Sequence, residues 1–181
     1  MTGPPLEPPP EPPITAAARV GDVTQVRLLI ASGADVDERY EFSDAHLPQS
    51  GGISGRTALG AAVYAGHAAV VHVLIEGGAN LNVVDDAGFT PLLIAVFRRE
   101  TEIVAELLAA GDLMLEQRAL LGRTALILAS GIGLYGVVSL LLNAGADVGA
   151  RDDIGRTALA WAKSLGHTSV ASLLKQYGAP E

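Results

Sequence analysis

The chain has 181 residues, a formal net charge of −8 and a 49% share of hydrophobic residues. This length and apolar content are sufficient for one domain or one short repeat array with its own core. Cysteine is absent, which excludes disulfides and cysteine-bound metal and favours a reducing, cytoplasmic location. An acidic surface repels a phosphate backbone, so we expect no nucleic-acid binding.

The chain begins with a proline-rich stretch from Pro4 to Pro13. It lacks the basic residues and the apolar run of a secretory signal, and its composition favours extended polyproline structure. We predict that residues 1–11 form a flexible leader. A docking peptide for a proline-recognition domain is the less favoured alternative, because the charged residues in this stretch, Glu7 and Glu11, are acidic.

A sequence repeat begins in the second quarter of the chain. Gly-Arg-Thr-Ala-Leu occurs at 55–59, 122–126 and 155–159, and Gly-Phe-Thr-Pro-Leu occupies 88–92. The four threonines follow one another at intervals of 33, 34 and 33 residues. An apolar stripe with helical spacing comes later in each unit, and glycine follows it. Each unit is therefore predicted to be a threonine-capped helix, a tight bend and a second helix.

The pattern resembles the ankyrin-repeat family, whose period is 33 residues. The glycine-histidine bends at 66–67 and 166–167 and the Gly-Ala-Asp or Gly-Ala-Asn segments that end three units agree with it. The resemblance implies an all-α solenoid of five stacked helix-turn-helix repeats with short finger turns. The predicted repeats span 12–54, 55–87, 88–121, 122–154 and 155–179.

The chain departs from the family pattern at several positions. The motif histidine is replaced in four repeats, so its hydrogen bond to the motif threonine cannot form. Arg99 occupies a bend position where the other repeats have glycine, and one extra residue precedes Gly122. We therefore expect the junction of repeats three and four to be the least regular part of the array. The residues at the motif histidine position are Gly60, Leu93, Ile127 and Ala160.

One stretch, 124–146, contains 23 residues without a charge. This length would permit a membrane span. Glycines interrupt the stretch and it keeps the register of the repeat, so we predict two short buried helices and no membrane insertion.

An insertion of about twelve residues lies within 38–52, between repeats one and two. Such loops are either tolerated or functional, and Tyr40, Phe42 and His46 are possible contacts for a ligand. His46 has no second ligand at a helical spacing, so no metal site and no acid-base centre is predicted.

The other histidines are predicted to be structural or solvated. His67 and His167 occupy the bend position, where the family uses histidine for structural hydrogen bonds. His72 falls in a second helix, on the side that resembles the convex face of the family, and is expected to be solvated. No histidine is predicted to be catalytic.

The family recognises partners with its finger turns and the inward side of its first helices. At the matching positions this chain has aromatic, aliphatic and arginine side chains, a composition typical of a buried interface centre. The alternative is that Tyr64 and Phe97 only stack on each other between repeats. The predicted partner-binding residues are Arg56, Tyr64, Phe89, Phe97, Arg98, Leu120, Leu121, Arg123, Ile132, Ile154, Arg156 and Leu165.

These features predict a non-enzymatic protein-protein interaction module without a cofactor, whose partner is another protein. The alternative is a small-molecule-binding or catalytic scaffold, with a pocket roofed by the insertion and lined by Tyr40, Phe42, Tyr64 and Phe97. A third reading is a structural spacer in an assembly, which predicts no large exposed apolar surface.

Overall fold

The computed structural model describes residues 10–40 and 56–180. These residues form ten α-helices arranged as five consecutive pairs. The first pair is α1 (Pro13–Val20) and α2 (Val23–Ala31). The remaining pairs are α3 (Ala58–Ala65) and α4 (Ala68–Glu76), α5 (Pro91–Arg98) and α6 (Thr101–Ala110), α7 (Ala125–Ile132) and α8 (Tyr135–Asn143), and α9 (Ala158–Ser164) and α10 (Thr168–Gln176).

The pairs stack into two rows of helices. The first helices of successive pairs pack against one another from α1 to α9, and the second helices form a parallel row from α2 to α10. The motif leucines Leu59, Leu92, Leu126 and Leu159 are all at most 2% exposed, as is Ile14 at the matching place in α1. Each pair buries its apolar stripe against its neighbours. The predicted all-α repeat solenoid is confirmed.

The motif threonines begin four of the first helices. The hydroxyl oxygens of Thr57, Thr90, Thr124 and Thr157 each accept a hydrogen bond from the backbone N–H three residues later, at 3.2–3.4 Å. Each bond satisfies an amide that has no partner within the helix. Pro91 takes the first position of α5, where a missing N–H removes no helical bond.

The bends between paired helices use left-handed backbone. Gly66 has φ 78° and Gly133 has φ 87°. Arg99 adopts the same conformation, with φ 64° and ψ 27°, so α5 ends at Arg98 and does not lengthen. Arg99 therefore keeps the left-handed geometry that glycine gives the corresponding bends of the other repeats.

The third pair and its junction with the fourth contain the irregular backbone. Asp112 has φ 44° and Leu121 has φ 64°. Together with Arg99 they are the non-glycine residues of positive φ in the described part of the chain. Leu121 lies immediately before Gly122, where the extra residue was noted. The predicted irregularity of this junction is confirmed.

The finger turns between successive pairs are closed by one recurring hydrogen bond. The N–H of Asp85 donates to the carbonyl of Phe89, that of Ala119 to Arg123, and that of Asp152 to Arg156. Three residues intervene in each case. Tyr40 donates in the same way to Arg56 at 3.1 Å, but here fifteen residues intervene, twelve more than in the other fingers.

The interior of the predicted insertion lies outside the described residues. Phe42 and His46 belong to this part, as does most of the predicted leader. At the edge of the leader, Glu11 forms an ion pair with Arg19 at 3.0 Å.

The uncharged stretch at 124–146 forms two helices, α7 and α8, of eight and nine residues. In the described ranges, no helix is long and apolar enough to cross a bilayer.

Candidate functional site

The concave side of the stack is built from the residues that precede the capping threonines and from the exposed side of the first helices. At the first of its two aromatic centres, two guanidinium groups lie against the ring of Tyr64. The Cζ atom of Arg56 is 4.2 Å from the ring centroid and that of Arg98 is 4.7 Å away. Both distances lie within the range of cation–π attraction.

The second aromatic centre is Trp161 on α9, which also carries two arginines. The Cζ of Arg123 lies 4.3 Å from the ring and that of Arg156 lies 4.9 Å away. Arg123 belongs to the preceding finger, so this contact joins neighbouring repeats. Trp161 was not among the predicted site residues.

A buried carboxylate fixes the position of Trp161. The indole Nε1–H donates to Oδ2 of Asp152 at 2.7 Å, and Oδ1 of Asp152 accepts backbone N–H bonds from Ile154 and Arg156. Burial by itself would raise the pKa of the Asp152 carboxyl. The hydrogen bonds from Trp161, Arg156 and Ile154, with the nearby charge of Arg123, outweigh that effect and leave this pKa below its ordinary value.

Arg56 is buried, which corrects the expectation that it is presented to a partner. Its side chain is 7% exposed, and its Nε donates to Oδ2 of Asp85 at 3.1 Å. Asp85 also accepts from the backbone N–H groups of Ala87 and Phe89. Arg56 thus ties one finger to the next and supports the Tyr64 ring from behind the surface.

Between the two aromatic centres lies an apolar groove. Phe97 meets Phe89 edge-on, with centroids 6.0 Å apart. Since no ring contact joins Tyr64 to Phe97, which both lie in the described chain, the alternative of simple stacking between repeats is wrong. One cavity of about 70 Å³ lies beside Phe89, Phe97 and Leu120, and another of about 130 Å³ lies beside Ile132, Trp161 and Leu165.

The two cavities share the side chains of Arg123 and Leu128, so the groove runs across repeats three to five. Half or more of the surface of Phe97, Leu120 and Leu165 is exposed. Leu121 and Ile154 are also exposed, but they lie at the finger tips and line neither cavity. We use the name concave groove for Tyr64, Phe89, Phe97, Arg98, Leu120, Arg123, Leu128, Ile132, Arg156, Trp161 and Leu165.

The bend histidines join neighbouring repeats. Nε2 of His67 lies 3.2 Å from the carbonyl oxygen of Arg19, and Nε2 of His167 lies 3.0 Å from that of Gly131. Their predicted structural role is confirmed.

His72 is exposed but is not merely solvated, which corrects the expectation for it. Its Nδ1 lies 2.8 Å from Oε1 of Glu106, and its Nε2 lies 3.4 Å from Oε1 of Glu76. It therefore joins α4 to α6 on the side away from the groove. In the ranges that the structure covers, no group of three histidine, aspartate or glutamate side chains is placed to hold a metal ion.

Comparison with known proteins decides the family. The sequence model of the family described as ankyrin repeats in three copies matches residues 14–117 and 111–180. This chain belongs to the ankyrin-repeat family. Ankyrin repeats are generally protein-protein interaction modules.

Curated relatives include the neurogenic locus notch homolog protein 1 of several vertebrates. This ankyrin-repeat chain is 37% identical to the Xenopus laevis protein over 100 residues, 55% of the chain and 4% of that protein. It is 34% identical to the Danio rerio protein over 120 residues, which is 66% of this chain and 5% of that protein. It is 33% identical to the human protein over 115 residues, which is 64% of this chain and 4% of that protein. The chain thus spans about one twentieth of the length of these relatives.

Proposed function

We propose that this ankyrin-repeat chain is a non-enzymatic adaptor that binds a segment of another protein in its concave groove. The observation that carries the proposal is the exposed apolar path from Phe97 to Leu165, flanked at both ends by arginines stacked on aromatic rings. Aromatic and arginine side chains are enriched at protein interfaces and supply most of the residues on which affinity depends.

Solvent exposure of the groove supports this function. Phe97 is 51% exposed and Leu165 is 52% exposed, and both adjoin other apolar side chains. Contiguous apolar surface of this kind is unfavourable in water and is characteristic of binding sites. A purely structural spacer would give no reason to keep it exposed.

The size of the two cavities favours a protein segment over a small molecule. Their volumes are about 70 and 130 Å³. Sites for cofactors and drug-sized ligands commonly measure roughly 300–1,000 Å³. Each cavity has room for one side chain, so a segment with two or three anchoring side chains is a better occupant.

The site of binding can be tested with a photo-crosslinking amino acid. We place it at Ile132 in the groove or at His72 on α4, irradiate each protein in lysate of the source organism, and identify the adducts by mass spectrometry. We expect a discrete protein adduct from position 132 and none of that mass from position 72. Introducing Phe97→Asp should reduce the adduct at position 132 about tenfold or more, because it places a charge in the apolar path.

Equal labelling from both positions, or an adduct that persists in the Phe97→Asp protein, would show that the groove is not the binding surface. Circular dichroism of the Phe97→Asp protein serves as the folding control. Phe97 is half exposed, so we expect the helical spectrum to be retained.

A further inference from the structure

We infer that the occupant of the concave groove is an extended segment of a partner protein with an apolar centre and carboxylate side chains at both ends. This inference rests on the proposed function and adds the chemistry of the partner. It follows from the charge, the hydrogen-bonding capacity and the spacing of the arginines at the two aromatic centres.

The first step concerns the charges that the fold leaves uncompensated. Arg98 and Arg156 are exposed and lie on the rings of Tyr64 and Trp161. Among the described residues neither has a carboxylate within ion-pair distance. Five other arginines do have one: Arg19 with Glu11, Arg27 with Glu76, Arg39 with Asp86, Arg56 with Asp85 and Arg118 with Asp153.

The second step concerns geometry. A guanidinium group that lies over an aromatic ring still has its N–H donors available along its edge. Two of these donors can bind the two oxygens of one carboxylate. Arg123 shares the Trp161 ring with Arg156, and its buried Nε has no hydrogen-bond partner within the described chain. The stacked arginines are thus ready to bind carboxylates of a partner.

The third step concerns net charge. The whole chain carries −8, so an acidic partner is repelled by most of the molecule and finds uncompensated positive charge at the two ends of the groove. Nucleic acid also carries negative charge, but its regular phosphate backbone would meet apolar side chains along the centre of the groove. The apolar centre therefore favours a peptide.

The fourth step gives the length of the segment. Tyr64 and Trp161 are on first helices three repeats apart in the row α3, α5, α7, α9. Packed helices lie about 8–10 Å apart, so the two centres are separated by about 25–30 Å. An extended chain advances about 3.3 Å per residue, and eight or nine residues bridge that distance. Alternate side chains of such a segment point to the same face, and two or three of them can enter the apolar groove.

The test selects random eleven-residue peptides, displayed on phage, against the immobilised full-length chain. We expect enrichment of aspartate or glutamate near both ends and of leucine, isoleucine or phenylalanine in the centre. In the Arg98→Gln protein acidic enrichment should disappear at one end only. In the Arg156→Gln protein it should disappear at the other end. Arg99→Gln removes the same charge beside Arg98 without any ring contact and should leave both ends acidic.

A selected peptide then gives the magnitude by fluorescence anisotropy. Losing one charge-assisted contact should weaken binding about tenfold in the Arg98→Gln and Arg156→Gln proteins, and Arg99→Gln should change it less than twofold. Replacing the acidic residues of the peptide with lysine should abolish binding.

The inference is wrong if no peptide is enriched or if the enriched peptides lack acidic ends. It is also wrong if Arg99→Gln weakens peptide binding as much as Arg98→Gln does. A ten-nucleotide single-stranded DNA that binds more tightly than the selected peptide would also overturn it. If crosslinking at Ile132 succeeds while any of these results is found, only the inferred chemistry fails. Failure of the crosslinking test itself identifies an error in the proposed function.

Discussion

At the residue scale, the contact between Trp161 and Asp152 provides an intrinsic optical probe of the groove. Trp161 is the only tryptophan of the chain, and its indole N–H is bound to a carboxyl whose pKa is below the ordinary value. A group whose pKa is lowered by folding stabilises the fold above its unfolded pKa, about 3.9 for aspartate. That stabilisation is lost as pH falls through the folded pKa.

We therefore expect the fluorescence of Trp161 to be constant from pH 7 to about 4 and to change below that value. Circular dichroism recorded on the same samples separates this change from unfolding. The Asp152→Asn protein should lack the transition. A fluorescence midpoint at or above pH 4 would contradict the lowered pKa.

Arg99 gives a second prediction at this scale. A non-glycine residue in the left-handed region is strained by roughly 1 kcal/mol, which glycine relieves. Arg99→Gly should raise the free energy of unfolding by about that amount, measured from the denaturant midpoint. Arg98→Gly, one residue earlier and still helical, should lower it by about 0.5–1 kcal/mol. Shifts of the same sign in both proteins would rule out backbone strain as the cause.

Arg99 and Trp161 also show what the sequence alone can reveal. The geometry of Arg99 could be predicted because glycine recurs at the bends of the other repeats. Trp161 could not be identified in the same way, because its position belongs to the core pattern: Ala61 and Ile94 take it in repeats two and three and are buried. An indole is too large for that space and extends to the groove. The available signal was one large aromatic residue at a position that elsewhere holds small or aliphatic ones.

At the scale of elements, the shared hydrogen bond of the finger turns predicts that the insertion is dispensable for folding. The backbone hydrogen bond from Tyr40 to Arg56 is equivalent to the bond that closes each of the other three fingers, where it encloses three residues. Replacing residues 41–55 with Asp-Ala-Gly, the three residues at 86–88, should preserve the helical spectrum. The free energy of unfolding should change by no more than about 1 kcal/mol, because closure entropy depends weakly on loop length.

The same replacement tests the role of the insertion. If the shortened protein folds and still gives the crosslink at Ile132, the insertion is not required for binding in the groove. If α1 and α2 lose their hydrogen-exchange protection, the insertion is structural and the prediction is wrong.

The bend glycines allow a further comparison between elements. A Cβ at Gly133 would lie 2.6 Å from Nδ1 of His167, whose ring is held by its contact with the Gly131 carbonyl. A Cβ at Gly166, which has a similar positive φ, would meet nothing within 4 Å. Alanine at either site should introduce the same backbone strain, and Gly133→Ala should be less stable than Gly166→Ala by about 1–3 kcal/mol because of the clash. Thermal unfolding of the two proteins measures this difference, and equal stabilities would contradict it.

The elements themselves follow closely from the sequence. The threonine interval located the starts of α3, α5, α7 and α9, since a threonine hydroxyl caps a helix through a local bond. The tie between Arg56 and Asp85 could not be predicted, because it joins residues 29 positions apart whose proximity depends on how neighbouring fingers pack. Local signals therefore predicted the helices, while packing decided which finger arginine is buried.

At the scale of the whole molecule, the repeat period predicted the two rows of helices and the side on which the groove lies. It did not predict the distribution of charge over the surface. The sequence gives a net charge of −8, yet Arg98 and Arg156 stand without carboxylate partners in the described chain at the ends of the groove. Only the folded arrangement shows which arginines are neutralised by neighbours and which are not.

The left-handed residues of repeat three have a consequence for how the array opens. A linear stack ordinarily frays from its ends, where each repeat has one neighbour. Here Arg99, Asp112 and Leu121 place backbone strain on both sides of α6, in the middle of the stack. Amides of α6 should therefore exchange with deuterium about as fast as those of α2 and α10, and Arg99→Gly should slow them. Repeat three, whose residues Phe89, Phe97 and Leu120 line the middle of the groove, would then open about as readily as the repeats at the ends of the stack.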